Sequence, residues 1–285
     1  MQRNRMKGEI ENMDIKYGAC DWALPGNGID SVRLAKEVGL NGLQLGFVSY
    51  ERGFLLSQKR FRNYYKEEAE KYEIELPSLA VCEFDIYGLK NPKNTEKGKI
   101  VYEIIDLVVE AAADLSMNMI MMPSFVDGFI DTDEDLANTA EALKYACRLA
   151  AKYNIIIASE NLLTIERNKL LFEKVGEENL KGFYDSQNYK SFLGWEQVPM
   201  LEKLYDILYP EIHVKDGIGE EGSSRLLGQG DTDFYGTMDF LKKKNYTGWI
   251  HLENYYDKLP LRSMSPKNHV DIVKMDLNIL KTACE

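Results

Sequence analysis

The residues best equipped for chemistry stand at the ends of four short apolar runs. Ile212-His213-Val214-Lys215-Asp216 passes from aliphatic side chain to imidazole and then to two opposite charges. The run 155–159 ends on Glu160-Asn161, the run 180–184 on Asp185, and the run 249–252 on Glu253-Asn254. Each reads as a buried strand that delivers a polar group at its carboxyl end. If such strands lie parallel and close on themselves, groups at equivalent ends converge over one mouth. Glu160, Asp185, His213 and Glu253 would then offer oxygen donors and one imidazole, a set suited to one divalent ion such as Mn, Mg, Co or Zn.

Taken singly, these residues have plainer readings. A carboxylate after Ile155-Ile156-Ile157-Ala158 costs several kcal/mol if buried unpaired, so Glu160 must reach either a cation or solvent. Asp is common where strands give way to loops, a lone His213 is satisfied by a core hydrogen bond, and Glu253 by an ion pair. Their joint appearance on successive strands points to a site.

The elements that must position them follow from periodicity. From Ile15 onward short apolar runs alternate with longer amphipathic ones, as in βα units. Eight runs begin near Ile15, Gly42, Ile74, Met117, Ile155, Leu180, Ile212 and Trp249. Their spacing matches the roughly 30 residues of a βαβ unit, and the number suggests closure into a single (β/α)8 barrel of the α/β class over 15–285, behind a flexible tail at 1–14.

The intervening segments read as helices. Ile100, Val101, Ile104, Ile105, Val108, Val109 and Ala112 form a stripe at helical spacing. Thr132 and Asp135 form a capping box before a face of Leu136, Ala140, Leu143, Cys147 and Ala150. Gly39 stops a shorter stripe of Val32, Ala35 and Val38. Pro199 is expected at the first position of the sixth helix, where it sacrifices no internal hydrogen bond, and 270–280 closes the chain. The long loop 217–230, with Arg225 in its middle, falls on the face where barrels carry function.

Composition narrows the partners. The formal charge of -11 over 285 residues argues against nucleic acid. No run approaches the roughly 18 apolar residues of a membrane span. Cys20, Cys82, Cys147 and Cys284 show no paired spacing, which suits a reducing, cytoplasmic compartment, and Met1 to Asp14 has no secretory apolar stretch. An exposed Trp and Tyr set on outer helices would point to a homodimer or homotetramer.

The chain resembles the xylose isomerase-like barrel superfamily, in particular its sugar isomerase and epimerase branch with the ketose 3-epimerases. The likeness rests on Ala35-Lys36-Glu37-Val38-Gly39 with Gly42-Leu43-Gln44-Leu45, then Ser159-Glu160-Asn161, Tyr184-Asp185, His213-Val214-Lys215-Asp216, Gly228-Gln229-Gly230-Asp231 and Leu252-Glu253. It implies one divalent metal held by Glu160, Asp185, His213 and Glu253, with Glu160 and Glu253 as acid and base. It also implies a small-molecule sugar as substrate. Proton removal beside a ketone requires a stabilised enediolate, which a metal can supply. Two carboxylates acting from opposite faces would then epimerise the carbon. A dehydratase like the inosose dehydratases, or a sugar-binding barrel without turnover, is the alternative on the same scaffold.

Around this set, Lys215 is expected to hold a substrate oxygen or else pair with Asp216 at the rim. Arg225 matches a family arginine that binds substrate hydroxyls. Trp22 offers a flat face to a sugar or caps the mouth, Glu83 reaches substrate or solvent, and Asn161 orients Glu160 or touches substrate. Asn188 stands where the 3-epimerases have a substrate-contacting histidine, and Gln44 where many members have Glu. With His213, His251 and His269 as its whole histidine complement, the chain cannot form the three-zinc centre of the endonuclease IV relatives. Glu211 and His251, each two residues before a proposed ligand, should meet one layer below the metal.

Overall fold

The computed structural model describes residues 14–26 and 28–285; the tail expected at 1–14 lies outside them, apart from Asp14. Eight parallel strands close into a barrel: β1 (Ile15–Cys20), β2 (Gly42–Gly46), β3 (Glu75–Ala80), β4 (Met119–Pro123), β5 (Ile156–Glu160), β6 (Leu180–Asp185), β7 (Leu208–Val214) and, after an excursion, β10 (Gly248–Leu252). β10 pairs with both β7 and β1, which seals the ring. The excursion is a small antiparallel hairpin of β8 (Asp216–Ile218) and β9 (Glu221–Arg225), so the loop 217–230 is partly ordered as sheet. Periodicity missed it because Gly and Ser dominate its strands.

Helices α1 (Asp30–Val38), α2 (Lys59–Tyr72), α3 (Glu96–Asp114), α4 (Asp133–Ala151), α5 (Ile165–Val175), α6 (Asn188–Leu193), α7 (Gln197–Leu204), α8 (Phe234–Lys243) and α9 (Val270–Cys284) wrap the barrel. The stripe of α3 is buried from Val101 to Ala112, and α4 buries Leu136, Ala140, Leu143, Cys147 and Ala150. Thr132 and Asp135 do form the capping box, satisfying two orphan amides at the start of α4. Gly39 ends α1 at φ 90°, a left-handed conformation that favours glycine. Pro199 falls at the third position of α7 rather than the first; the first four helical amides lack intrahelical acceptors, so no bond is lost.

One boundary differs from expectation in a way that matters. β7 starts at Leu208, four residues before Ile212, because Pro210 and Glu211 mask the strand in the sequence. Its pairing with β6 is irregular: Gly182 faces Leu208 but Tyr184 faces Ile212. The extra residues re-aim the strand so that Asp185 stands opposite His213. Among the described residues no helix is long and apolar enough to cross a membrane.

Candidate active site

The carboxyl ends of the strands open into a cavity of about 680 Å³, within the range of small-molecule sites. Its floor carries Glu160, Lys215 and Glu253, and Met121, Phe125 and Phe192 form an apolar wall. Glu160 ends β5, Asp185 ends β6, His213 lies in β7, and Glu253 follows β10; all are buried. The structure therefore brings the four expected residues to one mouth, in two overlapping sets. Donor atoms of Glu160, Asp185 and His213 lie within 4.8 Å of one another, as do those of Cys20, His213 and Glu253.

Lys215 links the two sets. Its Nζ stands 2.7 Å from Glu253 Oε2 and 3.2 Å from Asp185 Oδ2. The expected rim pair with Asp216 does not form, because Asp216 points the other way. It accepts from the amides of Gly217, Gly228 and Gly230 and from Thr232 Oγ1, and so pins down the long loop.

Each glutamate has its own orienting donor. Asn188 Nδ2 donates to Glu160 Oε1 at 2.8 Å, and Trp22 Nε1 to Glu253 Oε1 at 3.1 Å. Both donors line the cavity. Asp185 is held by the amides of Gln187 and Asn188 on Oδ1.

The electrostatics separate the two glutamates. Burial, reinforced by Asp185 and Glu253 against His213 and Lys215, pushes Glu160 up to about 8. Burial would also raise Glu253, but Lys215 and His213 overcome it and hold that carboxyl below the ordinary range. Burial raises Asp185 as well. Lys215 is kept charged despite its burial by Asp185, Glu253 and Glu160.

The donor set fits a divalent cation. Buried Asp185 Oδ2 has the Lys215 ammonium beside it at 3.2 Å, and buried His213 Nδ1 faces Glu253 Oε2 at 3.3 Å. Three buried carboxyls and an imidazole gathered around a single ammonium leave acidic donors for a further cation, and oxygen with imidazole suits Mn, Mg, Co or Zn.

Three expected substrate contacts lie outside the cavity lining. Arg225 is folded against Ser224 and stands 3.5 Å from Glu221. Asn161 donates to Ser159 and Asn168 and accepts from Leu163, so it braces its own loop rather than Glu160. Glu83 accepts the amides of Ser49 and Tyr50. The turn Cys82–Asp85 rotates Glu83 away and presents Asp85, whose carboxyl burial raises to about 6. Sequence reading chose the nearer acid; only the turn's winding decides between them. Tyr255 and Gln187 also line the cavity, each two residues past a strand-end carboxylate, Glu253 and Asp185, and neither was singled out in the sequence.

Comparison with known proteins adds four findings. A family model described as xylose isomerase-like TIM barrel matches residues 32–282. The chain is 29% identical over 230 residues to a 2-epi-5-epi-valiolone 7-phosphate 2-epimerase of Actinoplanes sp. (strain ATCC 31044 / CBS 674.73 / SE50/110), covering 81% of this chain and 83% of that protein. Its fold matches a D-allulose 3-epimerase from Methylomonas sp. (TM-score 0.73, 15% identity, 95% of this chain and 98% of that one). It also matches a D-psicose 3-epimerase with D-tagatose from Clostridium cellulolyticum H10 (TM-score 0.74, 13% identity, 95% and 99%).

Proposed function

Because the chain belongs to the xylose isomerase-like TIM barrel family, we propose that it is a metal-dependent sugar epimerase, acting at the carbon beside a ketone of a sugar or related polyol. The observation that carries this reading is the pairing of Glu160 and Glu253. They sit on β5 and after β10, three steps apart around the eight-strand ring, with opposite displacements of acidity. Two carboxyls with acidities driven apart are suited to be one acid and one base.

Glu253 takes the proton from one face of the carbon, and Glu160 returns one to the other. Lys215 does two things in turn. In the free protein it suppresses the basicity of Glu253; as its ammonium turns to a substrate oxygen, that carboxylate becomes a stronger base. Trp22 and Asn188 hold the two carboxyls in place. Glu160, Asp185, His213 and Glu253 would hold a divalent cation, which when bound supplies positive charge to stabilise negative charge developing on substrate oxygens.

The relative's name specifies a phosphorylated substrate. Here the cavity lining carries Lys215 against Asp85, Glu160, Glu220 and Glu253, which favours an uncharged one. The test is incubation of the purified protein, with and without Mn²⁺, with a panel of ketoses and their phosphates in deuterated water. Solvent deuterium at one carbon with inverted configuration is expected. Loss of water identifies a dehydratase instead, and binding without exchange identifies a sugar-binding barrel.

A further inference from the structure

Below the mouth the barrel interior is polar where such barrels are ordinarily filled with branched aliphatic side chains. Gln44, Ser78, Glu211 and His251 are all at most 1% exposed there. Two irregularities assemble the layer. The β2–β3 register slips between Gly42/Glu75 and Gln44/Ser78, placing Ser78 beside Gln44. Gly18 on β1 pairs with His251, and a methyl at position 18 would overlap the His251 ring.

The hydrogen bonds in this layer leave one arrangement of donors. Glu211 Oε1 accepts from Gln44 Nε2 at 3.1 Å and from the Ser78 hydroxyl, and His251 Nε2 stands 2.9 Å away. Gln44 Nε2 also donates to Ser78 Oγ at 3.0 Å. A carboxylate only accepts, so the amide nitrogen of Gln44 is the end that faces Glu211. Its carbonyl oxygen is thereby left 2.7 Å from His213 Nε2. A carbonyl also only accepts, so the hydrogen in that contact belongs to the ring. The Cys20 sulfur, 3.4 Å from the same nitrogen, adds a weak acceptor.

We propose that Gln44, oriented by Glu211, is a positioning residue that keeps a hydrogen on His213 Nε2, so that Nδ1, which faces Glu253 at 3.3 Å, is the ring nitrogen that can turn its lone pair to a cation. This rests on the reading of the mouth as a cation centre. It extends that reading from the ligands to the group that decides which ring nitrogen can serve as one.

The test compares wild type with Gln44→Met, which removes all three of its side-chain hydrogen bonds at similar volume, and Glu211→Gln, which frees the Gln44 amide to flip without touching it. Gln44→Glu restores an acceptor toward His213. Ring ¹⁵N shifts of His213 in metal-free protein at pH 8 report the tautomer, and calorimetric titration with Mn²⁺ reports affinity. In wild type and Gln44→Glu, Nε2 should carry a hydrogen. Gln44→Met and Glu211→Gln should lose that preference and bind Mn²⁺ roughly 10–100-fold more weakly. An unchanged tautomer with Mn²⁺ affinity within about twofold, in either folded variant, overturns the proposal. Wild type that binds no Mn²⁺ yet shows a Gln44-dependent tautomer overturns the cation reading and leaves the role of Gln44 toward His213 standing. Should Gln44→Met fail to fold, Glu211→Gln decides.

Discussion

The Lys215 ammonium lies 2.7 Å from the Glu253 carboxylate, deep in the barrel mouth, and this contact links the charge balance of the free protein to its chemistry. A fixed positive charge among acids that would bind a cation is a competitor for that cation, and in the proposed reaction it is also the partner of a substrate oxygen.

Lys215→Met should therefore separate two properties. Like charges about 4 Å apart repel by roughly 4 kcal/mol at an effective dielectric near 20, so removing this one should tighten Mn²⁺ binding at least about tenfold. The same change should lower kcat/KM by about 100-fold or more, because a substrate oxygen loses its partner. Calorimetry and steady-state kinetics on one preparation read both. Metal affinity that falls along with turnover contradicts the assignment.

The two glutamates should fail differently when neutralised. In Glu160→Gln the Glu253 carboxylate can still remove and return a proton on its own face. Starting ketose should then acquire solvent deuterium while epimerisation drops by roughly 10²–10⁴-fold. Glu253→Gln should show that pattern only from the opposite epimer. NMR of each epimer in deuterated water distinguishes the faces; equal loss of exchange from both epimers in both variants rules out a two-base scheme.

Asp21 provides a pH signature away from the ligands. Its carboxyl is buried, accepts the Gly46 amide at 2.8 Å, and is raised by burial from 3.8 to about 7 against that bond. The folded state therefore binds this proton more tightly than the unfolded chain, and stability from this group falls as pH rises from about 4 through 7. Asp21→Asn keeps the acceptor and removes the titration. It should match wild type near pH 4 and exceed it by up to about 4 kcal/mol at pH 8, read from urea melts. A constant difference across that range would contradict the sign.

Asp216 holds the hairpin loop by four hydrogen bonds from three amides and one hydroxyl. Asp216→Ala leaves those donors without their acceptor and should cost about 3 kcal/mol or more. Trypsin should then cut after Arg225 at a protein concentration and time where wild type stays intact. Equal resistance would mean the loop is held by its strand pairing alone.

The barrel and the convergence of Glu160, Asp185, His213 and Glu253 at its mouth were legible because they rest on regularities of one dimension: alternation along a strand, a stripe along a helix, an abrupt change from apolar to charged. Glu211 and His251 were anticipated as partners on the same grounds, and they stand 2.9 Å apart. What was not legible depends on rotation within turns and on register between strands. Glu83 and Asp85 differ by two positions in a single turn, and only its winding puts the second into the cavity. Gln44 was visible as a departure in residue type, but its orientation requires Ser78 and Glu211, which come from other strands. Arg225 was placed on function by its position in the loop; the hairpin that turns it aside is built of small residues that carry no periodic signal.

Gly18 has a consequence for how this barrel tolerates change. By giving up its side chain on β1 it makes space for an imidazole on the neighbouring strand, and that imidazole adjoins the carboxylate that orients Gln44. A single added carbon at position 18 would therefore be felt at the ceiling of the layer, in His213, without touching any residue that meets substrate. Filling this stratum with aliphatic bulk would remove the hydrogen bonds through which Glu211 and Gln44 reach His213.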